Sequence, residues 1–293
     1  MAHFADRLMK AIQEKNSRVC VGIDIRPGML PGGVENEVAF ARAVVEATHD
    51  VAVAFKLQIA FFEQMGLALA EVTLIAVGAV ARSTGAIVIV DAKRNDIATT
   101  AQAYAAAYLG GQSGVDALTV NPYLGSDGVQ PFIDEACKND KGLFVLVKTS
   151  NPSSQEIQDL EVKTERGSMR LYEHVGRLVG EWGQLLAGDS GYSSVGAVVG
   201  ATFPEQATRL REIMPHTPFL VPGYGAQGAT AADVKPCFDA QGLGAIVNSS
   251  RGICYAYERE PYASRLGEER FDEAARAAAQ DMRDEINAAL GVA

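Results

Sequence analysis

Four cysteines in 293 residues, at positions 20, 137, 237 and 254, are too few and too far apart for a disulfide framework. They form no CxxC pair, and His3, His49, His174 and His216 cluster neither with them nor with one another, so no zinc site is suggested. The thiols read as buried or inert, and the histidines as surface residues on or near helices. No run reaches the roughly 20 apolar residues that a membrane-spanning helix needs, and the opening MAHFADRLMKAIQEKN is a polar amphipathic helical pattern without the apolar heart of a signal peptide. These absences predict a cytoplasmic protein. Positive charge is also scarce: 26 Lys and Arg against 36 Asp and Glu give a formal net charge of −10, which disfavours general attraction to nucleic acid or anionic membrane. Any anionic ligand must therefore be held by a local site.

What is present, 48% apolar and 21% charged residues with no low-complexity tract, is the composition of an ordinary globular protein. Short runs rich in Val, Ile, Ala and Phe recur along the chain: Arg18 to Asp24, Val51 to Gln58, Ala86 to Lys93, Ala117 to Pro122, Leu143 to Ser150, Val195 to Thr202, Phe219 to Gly225 and Gly244 to Ser250. Most are followed by segments with apolar residues three and four apart, the alternation of a parallel β/α protein. VENEVAFARAVVEAT places Val34, Val38, Ala41 and Val45 on one helical face, and PEQATRLREIM and TAADVKPCF read as later crossover helices. Eight such units in a chain of this length predict a single-domain α/β protein, a (β/α)8 TIM barrel over residues 1–293. An open dinucleotide-binding sheet would carry GxGxxG after its first strand, where this chain has GIDIRPGMLPGG. Asn151 to Lys163 and Gly252 to Gly267 read as polar insertions after strands five and eight, and RLGEERFDEAARAAAQDMRDEINAALG as a final amphipathic helix on the outside.

Barrel enzymes place their chemistry at the C-terminal ends of the strands. Here those ends carry Asp24, Lys56, Asp91 with Lys93, Lys148 with Ser150, and Ser250 with Arg251. Ionisable groups in an apolar mouth are costly to desolvate unless paired, so several together predict a site. Asp91 and Lys93 are two apart on a strand and point to one side. Asp96 and Thr100, four apart, share a face of the next helix's first turn, and Lys56 completes an alternating row of Lys, Asp, Lys and Asp whose members keep one another charged. The turn VPGYGAQGAT after strand seven, with Gly223 and Gln227, and NSSRGI after strand eight, with Ser250 and Arg251, read as an anion site.

At DAKRNDIATT the sequence resembles the orotidine 5′-phosphate decarboxylase family, whose run Asp-x-Lys-x-x-Asp-Ile-x-x-Thr is matched by Asp91, Lys93, Asp96, Ile97 and Thr100. FKLQIAFFEQ, KTSNPS, PGYGAQG and SSR extend the likeness over most of the chain, which looks like the family's longer branch. The resemblance implies conversion of orotidine 5′-monophosphate to uridine 5′-monophosphate, the last step of de novo pyrimidine synthesis, without metal or organic cofactor. It implies a catalytic set of Lys93, Asp91, Asp96 and Lys56, with Lys93 as the proton source. Asp24 and Lys56 would contact ribose hydroxyls, and Ser150 the pyrimidine edge. Gln227, Arg251 and backbone N–H groups around Gly223 and Ser250 would hold the phosphate. Asp96 and Thr100 would reach the ribose of the other subunit in a homodimer with shared sites, and the segments after strands five and seven would be lids.

Two other readings fit parts of the pattern. Magnesium-dependent phosphosugar and keto-acid phosphate barrels share Asp-x-Lys-x-x-Asp, but they are expected to carry an acid rather than Lys56 on strand two. A non-catalytic sensor of a phosphorylated nucleotide would need Gln227 and Arg251 but not the charged row.

Overall fold

A computed structural model of the chain describes residues 3–26, 28–111 and 113–292. Eight parallel strands close into a barrel: β1 (Val19–Ile23), β2 (Ala54–Gln58), β3 (Ile87–Arg94), β4 (Ala117–Val120), β5 (Gly142–Lys148), β8 (Val195–Val199), β9 (Phe219–Val221) and β10 (Ala245–Ser249). Between β5 and β8, β6 (Glu161–Thr164) and β7 (Gly167–Arg170) form a separate antiparallel hairpin. All eight predicted strands are present, so the fold is the (β/α)8 barrel.

The two-residue period of the strands sorts their side chains into two cores. Outward-facing Val21, Phe55, Val90, Leu118, Val145 and Val247 pack under the surrounding helices. Inward-facing Cys20, Ala54, Ile89, Ala117, Phe144, Leu220 and Ile246 fill the lower barrel. Towards the C-terminal ends the inward positions become polar: Lys56, Asp91, Thr119 and Asn248 are all buried. The lower opening is closed by the helix Phe4–Glu14, whose Phe4, Leu8 and Ile12 join the inward core. Phe4 meets Phe144 edge to face at 6.1 Å. Its polar face made the sequence read as an ordinary amphipathic helix; its apolar face is the floor of the barrel.

Asn36 caps the helix Glu37–Thr48 by accepting from the Ala39 N–H at 3.0 Å, so Val34 lies before the helix rather than on its face. PEQATRLREIM is helical over Pro204–Ile213, with Pro204 in its first turn. TAADVKPCF yields only a short helix, Ala231–Val234, and a 3-10 turn. The insertion after β5 runs beyond Lys163, because the chain continues through the hairpin to Arg170 before the helix Leu171–Gly183. The segment 252–267, predicted as a polar insertion, instead buries Ile253, Tyr255, Tyr257 and Tyr262, and the Tyr255 ring packs on Phe40 with centres 5.5 Å apart. It is a wall of the molecule. The last helix, Phe271–Leu290, packs Ala274, Ala278, Met282 and Ile286 against the outer core, as expected. Three of the cysteines are buried and Cys137 is exposed; none is in a disulfide. Among the described residues no helix is long and apolar enough to cross a membrane.

Gly142 stands where the floor helix meets β5, and a Cβ there would collide with the Phe4 ring. Gly142→Ala is expected to destabilise the protein by about 1–3 kcal/mol through overpacking, and Phe4→Ala by about 3–5 kcal/mol through the cavity it leaves. Urea unfolding of the two variants beside wild type checks both values.

Candidate active site

The C-terminal mouth of the barrel holds a cavity of about 500 Å³. Asp24, Lys56, Asp91, Lys93, Ser150, Gly223, Gln227, Ser250 and Arg251 all line it, so nine of the predicted site residues, drawn from six strand ends, come together. Among the described residues no histidine lines it.

Its centre is the Asp91 carboxylate, almost fully buried, which accepts from four donors. Oδ2 receives Lys56 Nζ at 3.1 Å and Gln58 Nε2 at 3.0 Å; Oδ1 receives Lys93 Nζ at 2.6 Å and Thr119 Oγ1 at 2.8 Å. Lys56 Nζ also stands 3.9 Å from Asp24 Oδ1, a buried oxygen with no hydrogen-bond partner among the described residues. The row is therefore Asp24, Lys56, Asp91, Lys93. Burial by itself would raise the Asp91 pKa, but the Lys56 and Lys93 ammonium groups overcome it and hold the carboxyl well below the usual carboxylate range. Burial would likewise favour a neutral Lys56, and Asp91 with Asp24 reverses that, holding its pKa above the ordinary lysine value.

Asp91 and Lys93 do share a side, but not through a regular strand. Between Val90 and Arg94 the pairing with β4 shifts, and Lys93 adopts φ +48°, a left-handed backbone that costs a non-glycine residue about 1–2 kcal/mol. Its N–H is received by Thr119 Oγ1 at 2.9 Å. The Lys93 side chain remains 44% exposed, the open end of the row.

Two predicted placements are corrected, those of Asp96 and Lys148. Asp96 does not join the row: it stands beyond β3 and before the helix Ala98–Leu109, and its carboxylate accepts the Ile97 N–H at 2.8 Å. Thr100 is exposed in the first turn of that helix, where the sequence placed it, and neither it nor Asp96 is among the residues that line this chain's cavity. Beside them Ile97 and Tyr104 are exposed apolar side chains. Lys148 is not in the mouth either. A register shift between Leu146 and Lys148 accompanies its burial, 2.8 Å from Asp159 of the insertion and 4.4 Å from the centre of the Phe203 ring.

On the opposite side of the cavity, the turn after β9 is closed by Gly225 N–H donating to Ala229 at 2.9 Å, with Gln227 exposed at its tip. Gly223 has φ +108°, and a Cβ there would crowd Gln227 Oε1 at 3.3 Å and Ser150 Cβ at 3.4 Å. Arg251 stands beside this turn on the cavity wall. A guanidinium, an amide and a glycine turn offer donors suited to a phosphate.

Arg26, Gln58, Thr119, Thr149, Asn151 and Asn248 also line the cavity and went unnoticed in the sequence. Gln58 and Asn248 carried a usable signal: each is a polar residue in phase with the inward positions of an apolar strand. Thr119 carried little, because threonine is common in strands.

The sequence pattern of the orotidine 5′-phosphate decarboxylase / HUMPS family matches residues 17–266. The chain belongs to that family. Among curated relatives, the orotidine 5′-phosphate decarboxylase of Rhodopirellula baltica is 43% identical, over 98% of this chain and 99% of its own length. That of Deinococcus radiodurans is also 43% identical, over 99% and 98%. Among solved structures, the OMP decarboxylase of Leishmania donovani is similar with a TM-score of 0.79 and 34% identity, covering 99% of this chain and 100% of that one. The Asp91 and Lys93 of this family member thus sit at the end of β3 in a barrel shared along nearly the whole length of its relatives.

The linkage sign for Asp91 follows from its lowered pKa. Its stabilising effect is complete above the unfolded value near 4 and is lost as pH falls towards the folded value. Below about pH 4, wild-type unfolding free energy is expected to fall up to about 1.4 kcal/mol per pH unit more steeply than that of Asp91→Asn. Urea titrations at pH 3.0 to 5.5 measure the difference; parallel slopes would contradict the ionised, four-donor description.

Proposed function

We propose that the protein decarboxylates orotidine 5′-monophosphate to uridine 5′-monophosphate, using Lys93 as the proton donor. The observation that carries this reading is the Lys56–Asp91–Lys93 row inside the mouth of a barrel of this family, facing a glycine turn with Gln227 and Arg251. In the reaction the bond from C6 to the carboxylate breaks, carbon dioxide leaves, and the electron pair left on C6 takes a proton from Lys93 Nζ. The pyrimidine offers that pair no conjugated sink, so a fixed ammonium beside C6 supplies both the stabilising charge and the proton. Asp91 holds Lys93 in place and lies against the departing carboxylate, whose charge disappears in the transition state while the negative charge of Asp91 remains.

Asp24, whose buried Oδ1 has no hydrogen-bond partner among the described residues, accepts from a ribose hydroxyl, and Lys56 donates to one. Ser150 meets the pyrimidine edge. Gln227 and Arg251, with N–H groups around Gly223 and Ser250, hold the phosphate, and its binding energy draws the segments after β5 and β9 over the base. The exposed apolar face around Ile97 and Tyr104 supports a homodimer in which Asp96 and Thr100 complete the partner's site. We take the chain as one domain and place it in the cytoplasm, a setting that four unpaired cysteines fit.

The test is the ultraviolet change on mixing EDTA-treated protein with orotidine 5′-monophosphate. Wild type is expected to turn over, Lys93→Ala to lose more than about 1,000-fold in kcat, and Arg251→Ala to lose mainly in KM. Orotidine without its phosphate should react poorly. No turnover by folded wild-type protein would overturn the reading. For the shared site, mixing inactive Lys93→Ala and Asp96→Ala proteins should restore about a quarter of wild-type activity, since half the dimers then hold one intact site. No recovery after subunit exchange would refute the partner's role.

A further inference from the structure

We infer that Thr119 is a positioning residue for the reaction: its hydroxyl joins the Asp91 carboxylate to the Lys93 main chain and so fixes where the Lys93 ammonium stands. The inference rests on the decarboxylase reading for its catalytic consequence and on hydrogen-bond geometry for its physical content.

Between β3 and β4 the partners are Val90 with Leu118 and then Arg94 with Val120. Asp91, Ala92 and Lys93 therefore stand opposite a single residue, Thr119. An irregularity of this kind interrupts the ladder and leaves main-chain groups in need of other partners. The Lys93 N–H finds one in Thr119 Oγ1 at 2.9 Å. The hydroxyl has one proton to give, and it goes to Asp91 Oδ1 at 2.8 Å. The same carboxylate oxygen receives Lys93 Nζ at 2.6 Å. Lys93 is thus referred to Asp91 at both ends: its ammonium directly, its main chain through one intervening hydroxyl.

Without that hydroxyl the φ of +48° at Lys93 loses the hydrogen bond that holds it, and the long side chain is left to follow a main chain free to relax. Thr119 is 1% exposed, so bulk solvent does not reach the position to take over its bonds. The phosphate donors Gln227 and Arg251 belong to other strand ends and do not depend on it. Loss of the hydroxyl should accordingly fall on kcat and spare the binding of a nucleotide that lacks the reacting carboxylate.

The test compares wild type, Thr119→Val, which keeps the shape, and Thr119→Ser, which keeps the hydroxyl. In Thr119→Val, kcat for orotidine 5′-monophosphate is expected to fall about 100-fold, the scale of a displacement near 1 Å at the reacting centre. Its affinity for uridine 5′-monophosphate should stay within about threefold, and Thr119→Ser should recover kcat to within about fivefold of wild type. If Thr119→Val does not fold, Thr119→Ala beside Thr119→Ser makes the same comparison. The inference is overturned if the hydroxyl-free variant keeps wild-type kcat, if serine fails to rescue, or if nucleotide affinity falls in parallel with kcat. Crystal structures of wild type and Thr119→Val give a readout independent of turnover. Lys93 displaced from Asp91 in the variant supports the positioning role even if wild type proves not to decarboxylate the nucleotide, and Lys93 unmoved refutes it.

Discussion

The upper half of this barrel is organised around one buried carboxylate. Asp91 has two oxygens and four donors, from β2, β3 and β4. A lone carboxylate at that depth would pick up a proton rather than stay ionised. Two ammonium groups keep it charged, and it keeps Lys56 charged in return, so the groups of the row cannot be removed one at a time without altering the others. A Lys, Asp, Lys arrangement has a net charge of +1, and Asp24 lowers it towards neutrality. A mouth built this way admits an anionic substrate while keeping its own charges fixed before the substrate arrives. That is electrostatic preorganisation, the property from which enzymes draw much of their rate enhancement.

The two ends of the barrel solve different problems with the same strands. Below, inward positions are apolar and are sealed by the helix Phe4–Glu14; above, the same alternation delivers Lys56, Asp91, Thr119 and Asn248 into a common layer. The apolar layer supplies the packing energy that holds the polar layer's strands in register. The bulges at Lys93 and near Lys148 are where register is given up: the first directs an ammonium into the cavity, and the second accompanies a lysine buried against the insertion, where Asp159 and the Phe203 ring receive its charge.

Much of this was legible in the sequence because parallel barrel strands are buried on both faces and read as continuous apolar runs, so all eight could be marked. The DAKRND run was legible because charged residues closing an apolar strand are costly to bury anywhere but in a polar mouth. What escaped depended on geometry that spacing does not encode. Asp96 is only three residues from Lys93, yet the chain has left the mouth by then. Lys148 ends an apolar run just as Lys93 does, and a register shift puts it on the other side of the wall. Thr119 looks like any strand threonine until the bulge opposite it is known. The apolar character of 252–267 was hidden by charged residues interspersed among its tyrosines.

The floor helix carries a consequence for the order of assembly. It precedes every strand of the barrel and so leaves the ribosome before them, yet the core that receives Phe4 and Leu8 includes Phe144 of β5 and Ile246 of β10. Its apolar face has no complete seat until some 240 further residues have been made and the ring has closed. During synthesis that face must be sheltered by transient contacts or by a chaperone, as other exposed apolar surfaces of large folding chains are. A helix made before any strand of the barrel thus finds its complete seat only once the eighth has joined the ring.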